Sequence, residues 1–528
     1  MRAISCSMVA LALAMLGAGP GPDEAATKVD LEGRWKVVVL AFGDDEFLIL
    51  DVKAGQDGPR ATVVDAQAFL QNPQVAKLAR EGGTVTLGLK QGGADLTFVG
   101  TRDARAADPA GARFLGTFQF RGATYPARLE RTDAAKVGAL SRTDAIPQGV
   151  AAAQRQPDPK ARVEALRTVV REAKGHPAAA SAYAALLQGA EAAGLTQEEV
   201  RGLVADWRAE AQPYGPSWAG EVQSNALTAL AGKKAYAALT LELAQEADRA
   251  LGESVPLERR AAVARVLADA ARAAGRDELA ATVATKADQL EARLDDEYRA
   301  TVPPFRPEPV AARADGKGDR VVLMELFTGA QCPPCVAADV AFDALIHSYR
   351  PTELVTLQYH LHIPGPDPLT GPAALARGDY YDVHSTPTTL FNGQPEARGG
   401  GGMANAEAKY HQYREVIAGR LDGKKAASID LKARHQGDAI RISATAEVTP
   451  GADAGDEAKG DRPSQSPKLR LRLALVEDEI RYVGGNRLRF HHHVVRTMPG
   501  GVDGQELAGG KGQVDATVNL ADVRKELE

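Results

Sequence analysis

Two cysteines separated by two prolines, Cys332 and Cys335, form the pattern with the clearest chemical meaning in this chain. A Cys-x-x-Cys spacing lets the second sulfur reach back to the first and close a ring, so such a pair can cycle between dithiol and disulfide. The third cysteine, Cys6, lies in an apolar amino-terminal stretch, and 3 cysteines in 528 residues exclude a disulfide-rich scaffold. The spacing suggests Cys332 as nucleophile and Cys335 as resolving thiol.

The residues around the pair predict a strand before it and a helix after it. Residues 320–327 form an apolar run with one acid, which is typical of a buried strand in a parallel sheet. Residues 336–345 have the apolar spacing of an amphipathic helix. Cys332 is therefore expected at a helix amino terminus, where unpaired N–H groups and the helix dipole stabilise a thiolate and lower its pKa.

Two histidines, His360 and His362, end the next predicted strand. Residues two apart face the same side of a strand, and the carboxyl edge of a parallel sheet is where ligands bind. Three interpretations stay open: assistance to the cysteines or contact with substrate, a tetrahedral zinc site shared with the two thiols, and ordinary polar residues at a strand end. No bound metal or cofactor is expected, because the cysteines themselves would carry the electrons.

A run of three histidines, residues 491–493, gives a second metal hypothesis. In a strand only His491 and His493 share a face, so the run supplies two ligands at most, with Glu477 or Asp478 as further candidates. The alternative is a polar strand that packs in a terminal β domain.

The segment around Thr386 and Pro387 completes a pattern that resembles the thioredoxin superfamily. The order is strand, Cys-Pro-Pro-Cys, helix, strand, and then Thr-Pro entering another strand that ends at an Asn-Gly turn. The resemblance implies that Pro387 is cis and faces the cysteine pair. It also implies that the backbone at Thr386 pairs with a substrate peptide, so Thr386 and Pro387 are the expected substrate-binding residues.

The residues before the pair, Glu325-Leu326-Phe327-Thr328, are similar to a branch of secreted, largely uncharacterised bacterial proteins that end in a β domain. The segments Leu473–Asp478 and His491–Arg496 resemble the same branch, which leaves the amino-terminal half of the chain uncovered. The chain departs from thioredoxin in its Pro-Pro dipeptide and in Glu325, which lies one position further from the first cysteine than thioredoxin's buried acid. Because strands alternate faces, an assisting proton-relay role of Glu325 competes with a cap or surface role.

The remaining segments predict separate modules and a multidomain α/β + β + α fold, with an α-helical hairpin domain and two β domains flanking the thioredoxin-like module. Short β-rich runs with Gly and Asp turns precede an Ala/Leu/Glu/Arg-rich helical region, and a proline cluster follows. The expected modules are a signal peptide (1–26), a small β-barrel or sandwich (28–140), a tetratricopeptide-like helical hairpin domain (145–300), a proline-rich linker (301–317), the thioredoxin-like domain (318–425) and a β-sandwich (426–528).

The charge balance and the amino terminus limit the classes of partner and the compartment that we expect. Lys and Arg number 63 against 69 Asp and Glu, so no basic excess favours nucleic acid. Arg2 followed by apolar residues 3–16 predicts an export signal. We expect the protein to contact a membrane only if this signal stays uncleaved. We therefore expect a periplasmic or secreted protein, with a protein partner on the helical domain as a further option.

The function expected from these residues is thiol–disulfide exchange on protein thiols and disulfides, served by a separate redox partner. The alternative is a non-enzymatic envelope scaffold in which a Cys332–Cys335 disulfide is purely structural. The reactivity and exposure of the pair distinguish the two.

Overall fold

The structure is a computed structural model that describes residues 31–527, except 42, 56–57, 92–93, 104–111, 121–122, 141–144, 253–254, 312, 314–317 and 450–468. The signal peptide predicted for residues 1–26 lies outside the described residues. Among the described helices, none is both long and apolar enough to span a bilayer. The chain is a mixed α/β multidomain protein that divides into two compact units, Met1–Glu291 and Ala292–Glu528.

The first unit opens with eight strands in one antiparallel sheet. They are Gly33–Val39 (β1), Asp45–Lys53 (β2), Arg60–Ala66 (β3), Gln74–Glu81 (β4), Thr84–Gln91 (β5), Ala94–Arg102 (β6), Arg113–Phe120 (β7) and Ala123–Arg131 (β8). The order β3-β2-β1-β8-β7-β6-β5-β4 joins β1 to β8, and the two end strands β3 and β4 contact each other. Buried aromatic side chains, among them Trp35, Phe98 and Phe114, fill the interior. The sheet is therefore curled around a packed core.

Helices follow in the same unit. They are Ala145–Gln154 (α1), Pro159–Glu172 (α2), Ala180–Ala193 (α3), Gln197–Ala211 (α4), Pro216–Leu230 (α5), Ala237–Ala250 (α6), Leu257–Ala273 (α7) and Asp277–Thr301 (α8), the last of which continues into the second unit. The capping box expected at Thr196 is present: its hydroxyl accepts from the Glu199 N–H, and the Glu199 carboxylate accepts from the Thr196 N–H. Trp207 stacks on Tyr183 inside the helical layer and is a packing residue.

The second unit contains a six-stranded sheet and a smaller three-stranded sheet. Its further elements are Val322–Thr328 (β9), Val336–Ser348 (α9), Leu354–His360 (β10), Pro372–Tyr380 (α10), Thr388–Phe391 (β11), Gln394–Pro395 (β12), Ala406–Leu421 (α11), Ala427–Gln436 (β13), Ala439–Val448 (β14), Arg470–Leu471 (β15), Leu475–Arg481 (β16), Phe490–Thr497 (β17), Gln505–Glu506 (β18), Lys511–Asn519 (β19) and Leu520–Leu527 (α12). The larger sheet has the order β12-β11-β9-β10-β17-β16, with β9, β10 and β17 parallel and β11 antiparallel to β9.

Both faces of the six-stranded sheet are covered, which explains the continuous apolar run of β9. Met324 and Leu326 pack against α9 and α11, whereas Phe327 on the opposite face packs near α10. We call these the α9 face and the α10 face. The cysteine pair follows β9 at its carboxyl end, immediately before α9.

The terminal segment differs from the expected β-sandwich. Strands β16 and β17 join the six-stranded sheet, and β17 lies parallel to β10 with Gln358 opposite Val494. Only β13, β14 and β19 form a sheet of their own, beside the short β15–β18 pair. Adjacent Val494 and Val495 are both buried, as suits a strand covered on both faces, but alternation in sequence does not show which strand is the neighbour.

The proline-rich segment also differs from an extended linker. Phe305 packs against Tyr410 of α11, with ring centroids 5.1 Å apart. The N–H of Glu308 donates to the hydroxyl of Tyr410, and the N–H of Val310 donates to the carbonyl of Ser348. The apolar residues between the prolines therefore attach this segment to the second unit.

Candidate functional site

The two cysteines lie at the position that the sequence predicts. Cys332 and Cys335 form a disulfide across a single 3₁₀ turn, Pro333–Cys335, which leads directly into α9. The side chain of Cys332 is 2% exposed and that of Cys335 is fully buried. The sulfurs thus lie at a helix amino terminus but beneath the molecular surface.

Thr386 and Pro387 lie beside the first sulfur. The Thr386–Pro387 bond is cis. The carbonyl oxygen of Thr386 lies 3.8 Å from Sγ of Cys332, and its hydroxyl lies 3.4 Å from the same sulfur. The same hydroxyl is 3.3 Å from the carbonyl oxygen of Ile363. Residues more than 50 positions apart in sequence therefore meet at one sulfur.

Two backbone segments surround the turn that carries the cysteines. The N–H of Gly401 donates to the carbonyl of Pro334 over 2.7 Å, and the N–H of Ala337 donates to the carbonyl of Gly401 over 2.9 Å. On another side, the N–H of Asn486 donates to the carbonyl of Ala330 over 3.0 Å. Contacts of this kind between distant segments carry no sequence motif, and sequence reasoning missed both.

His360 belongs to a buried polar network, in which it bonds Asp367 and Gln358. Its Nδ1 lies 2.9 Å from Oδ2 of Asp367, and its Nε2 lies 3.2 Å from Oε1 of Gln358. The same Asp367 oxygen accepts from the N–H of Ala330, two residues before Cys332, over 2.6 Å. His362 is exposed, and its Nδ1 accepts from the N–H of Asp367. The two histidines therefore support the loop that follows β10.

The two cysteines and two histidines of the zinc hypothesis do not form a set of metal ligands. Both ring nitrogens of His360 are engaged with Asp367 and Gln358. Within the described ranges, no group of three or more His, Cys, Asp and Glu side chains has an arrangement that could hold a metal ion.

Asp339 is a buried acid that sequence reasoning missed. It lies in the first turn of α9, four residues after Cys335, and is 2% exposed. Its carboxyl group accepts from the Thr328 hydroxyl over 2.9 Å and from Nε2 of Gln358 over 3.0 Å. Burial raises its pKa well above the ordinary value; the bond from Thr328 opposes this, and two neighbouring acids, Asp343 and Asp367, add to it. Asp339, Gln358, His360 and Asp367 thus form one hydrogen-bonded chain on the α9 face, which we call the buried polar network.

Asp367, at the other end of this network, is ionised more easily. Burial raises its pKa, but the hydrogen bond and charge of His360, with the N–H groups of Ala330 and Leu369, lower it further than burial raises it. The two acids of the network therefore favour opposite protonation states.

Glu325 lies on the α10 face, away from α9. It is fully buried, and its Oε1 accepts from Nε of Arg377 over 2.8 Å and from the Tyr359 hydroxyl over 3.2 Å. Its Oε2 accepts from the Tyr381 hydroxyl over 2.8 Å. None of these contacts supports the possible assisting role of Glu325; they bind α10 to the sheet.

The three histidines of β17 have separate partners. His491 is buried, its Nε2 donates to the carbonyl of Tyr482 over 3.1 Å, and its ring meets that of His360 edge-on at 4.9 Å. Burial, helped by nearby His360, lowers the pKa of His491 to about 3. His492 faces the carboxylates of Asp343 and Glu479, whereas His493 bonds the hydroxyl of Thr356. The run therefore converges on no shared metal position.

Some of the missed residues had a signal in the sequence. Asp339 lies between Ala338 and Val340 and is one of two acids, with Asp343, in a mostly apolar helix, and such a helix is buried on most sides. Gln358 lies in β10 two residues before His360, so alternation places both on one face. Asp367 lies in a loop, where spacing predicts no partner.

Comparisons with known proteins add little. No protein-family model matches the chain, and no curated protein matches it. Among solved structures, the chain is similar to HBP35 of Porphyromonas gingivalis, at 18% identity and a TM-score of 0.29. That match covers 39% of this chain and 66% of that chain, just under two thirds of its length. A similarity at this level supports no inference about fold or function.

Proposed function

We propose that this protein is an exported thiol–disulfide oxidoreductase with a thioredoxin-like module, in which Cys332 and Cys335 exchange with protein thiols and disulfides. The observation that carries the proposal is the position of the disulfide at the amino end of α9, beside the carbonyl of Thr386 and the cis Pro387. The succession β9, α9, β10 and β11, with β9 and β10 parallel, supports the resemblance seen in the sequence. Arg2 and the apolar residues 3–16 support export.

The exchange needs only sulfur and protons. The Cys332 thiolate attacks one sulfur of a substrate disulfide; a bond forms between them, and the other substrate sulfur leaves as a thiolate and takes up a proton. Deprotonated Cys335 then attacks Sγ of Cys332, and the second substrate sulfur leaves and is protonated. The substrate gains two electrons and two protons, the pair becomes the disulfide present here, and a dithiol reductant restores it.

Neighbouring groups suit these steps. Cys332 lies at the amino end of α9, where the helix dipole favours a thiolate. The Thr386 carbonyl, 3.8 Å from Sγ, can accept from a backbone N–H of an extended substrate and hold its disulfide against Cys332.

A structural disulfide in a non-enzymatic scaffold is the second candidate, and one observation favours it. Cys332 is only 2% exposed and Cys335 is fully buried, as in disulfides that resist mild reductants. In that case the helical and β domains would act by binding partners.

Insulin reduction by dithiothreitol, catalysed by the full chain, separates the two candidates. The wild type should accelerate the reaction, and Cys332→Ser should return it to the uncatalysed rate because the attacking sulfur is gone. Reduced Cys335→Ser, freed of dithiothreitol and then mixed with insulin, should accumulate a mixed disulfide between Cys332 and insulin, because neither Cys335 nor a dithiol is present to resolve it. Equal rates for wild type and Cys332→Ser would remove the oxidoreductase and leave the scaffold.

A further inference from the structure

Four consecutive glycines, residues 399–402, lie across the turn that carries the cysteines; we call them the glycine segment. Both backbone groups of Gly401 bond to this turn: its N–H donates to Pro334, and its carbonyl accepts from Ala337. The segment therefore occupies one donor and one acceptor at the amino end of α9.

The approach at Gly400 is too close for any side chain. A Cβ there would overlap the carbonyl oxygen of Pro334 and would lie 2.8 Å from Cγ of Pro387. Gly400 thus fills the gap between the cysteine turn and the cis proline. Thr386, next to Pro387, contributes the carbonyl that lies 3.8 Å from Sγ of Cys332. The glycine segment therefore closes the site where a substrate strand would lie.

We infer that the glycine segment determines which substrates reach Cys332. Both bonds, to Pro334 and to Ala337, are made by the backbone of Gly401, so the substrate that can replace the segment is a polypeptide whose own backbone makes the same two bonds. Glycines adopt backbone conformations closed to other residues, as Gly399 at φ +84° shows, and the four glycines have no side chains that must be unpacked when the segment opens. This inference rests on the proposed function and deepens it by naming the substrate class.

Reduction of the disulfide in the folded full chain tests the closure. Gly400→Ala should be reduced by tris(2-carboxyethyl)phosphine roughly tenfold faster than wild type, because overpacking of this size shifts the open population by about that factor. Gly402→Ala is the matched control: its Cβ would meet no heavy atom within 4 Å, and its φ of −82° suits any residue. The control should keep the wild-type rate. Equal rates for the two variants, both folded by circular dichroism, would overturn the inference.

Hydrogen exchange in the wild type provides a second test that needs no variant. The amides of Gly401 and Ala337 should exchange by local opening, far faster than the amide of Val322 in the sheet. Protection of Gly401 equal to that of Val322 would show a segment that does not open, and would overturn the inference even if Gly400→Ala failed to fold.

The substrate class has its own readout. With dithiothreitol as the reductant, the wild type should reduce an unstructured peptide disulfide faster than glutathione disulfide. In Gly400→Ala the ratio of these two rates should be smaller. An unchanged preference in Gly400→Ala would contradict the role of the segment while leaving the exchange chemistry intact. Loss of the chemistry itself would appear instead as equal insulin reduction by wild type and Cys332→Ser.

Discussion

Two buried carboxyl groups lie on opposite faces of the six-stranded sheet in opposite electrical surroundings. Glu325 on the α10 face accepts two bonds from the Arg377 guanidinium. Asp339 on the α9 face accepts from the neutral groups of Thr328 and Gln358. A buried carboxyl without a compensating cation retains its proton, so Asp339 is expected to be the protonated acid below the cysteine turn.

Replacing Asp339 by Asn should change how stability depends on pH. The folded-state pKa of Asp339 is raised, so its contribution to stability is greatest below the unfolded value of 3.8 and falls as pH rises toward the folded pKa. Asp339→Asn should remove this fall, so the free energy of unfolding of the variant should rise relative to that of the wild type as the pH rises. Urea unfolding at several pH values measures the difference, with exposed Asp430→Asn as control. Parallel curves for wild type and Asp339→Asn would contradict the assignment.

His491 should make the stability of the fold depend on pH in the acid range. Its pKa is lowered to about 3 in the fold, so between pH 6.5 and about 3 the unfolded chain binds a proton that the folded chain does not. Stability should therefore fall with acidification by up to about 1.4 kcal/mol per pH unit in this window. His491→Phe should flatten that part of the curve, whereas His435→Gln on exposed β13 should not. An unchanged slope in His491→Phe would show that the ring is protonated in the fold.

At the scale of elements, the ion pair between Glu325 of β9 and Arg377 of α10 fixes the helix to the sheet. Arg377→Met should cost roughly 3–5 kcal/mol because it leaves a buried carboxylate without a partner. The double variant Arg377→Met with Glu325→Leu should recover most of that loss. A double-mutant cycle in urea measures the coupling, and additive losses would indicate that the pair is not buried in solution.

The sequence predicts the elements next to the cysteines well because their signals are local. The apolar run of β9, the apolar spacing of α9 and the Thr-Pro entry to β11 each depend on neighbouring residues. Alternation along β9 even separates Glu325 from Met324 and Leu326, which pack against α9. The insertion of β17 beside β10, and the hydrogen bonds of Gly401 to the cysteine turn, join residues far apart in sequence. Contacts of this kind produce no periodic pattern in the sequence, so the sequence does not predict them.

At the scale of the molecule, α8 continues from one compact unit into the other. Its last turns belong to the second unit: Asp295 bonds both Arg481 and Arg489, and the Tyr298 ring lies 5.8 Å from that of Phe490. Composition predicts a helical region to residue 300 and a break at the prolines, but these contacts extend the second unit back into the helix. A boundary drawn from proline content therefore cuts through the packed unit.

Two fragments test this boundary. Residues 277–528 keep α8 whole and should fold alone, whereas residues 302–528 lose the contacts of Asp295 and Tyr298. The shorter fragment should melt at a lower temperature, by about 2–4 °C for each kcal/mol of stability that these contacts provide. Equal melting temperatures in thermal scans would place the boundary after α8 instead.

The reactivity of the Cys332–Cys335 disulfide in the folded protein tests the central claim most directly. The full chain is equilibrated with dithiothreitol buffers in native conditions, and free thiols are trapped with iodoacetamide and located by mass spectrometry. We expect the pair to be reduced without unfolding, and Cys332 to be alkylated first, at a pH below the ordinary thiol pKa of about 8.5. A disulfide that persists until denaturant unfolds the protein would contradict thiol–disulfide exchange and identify a structural crosslink.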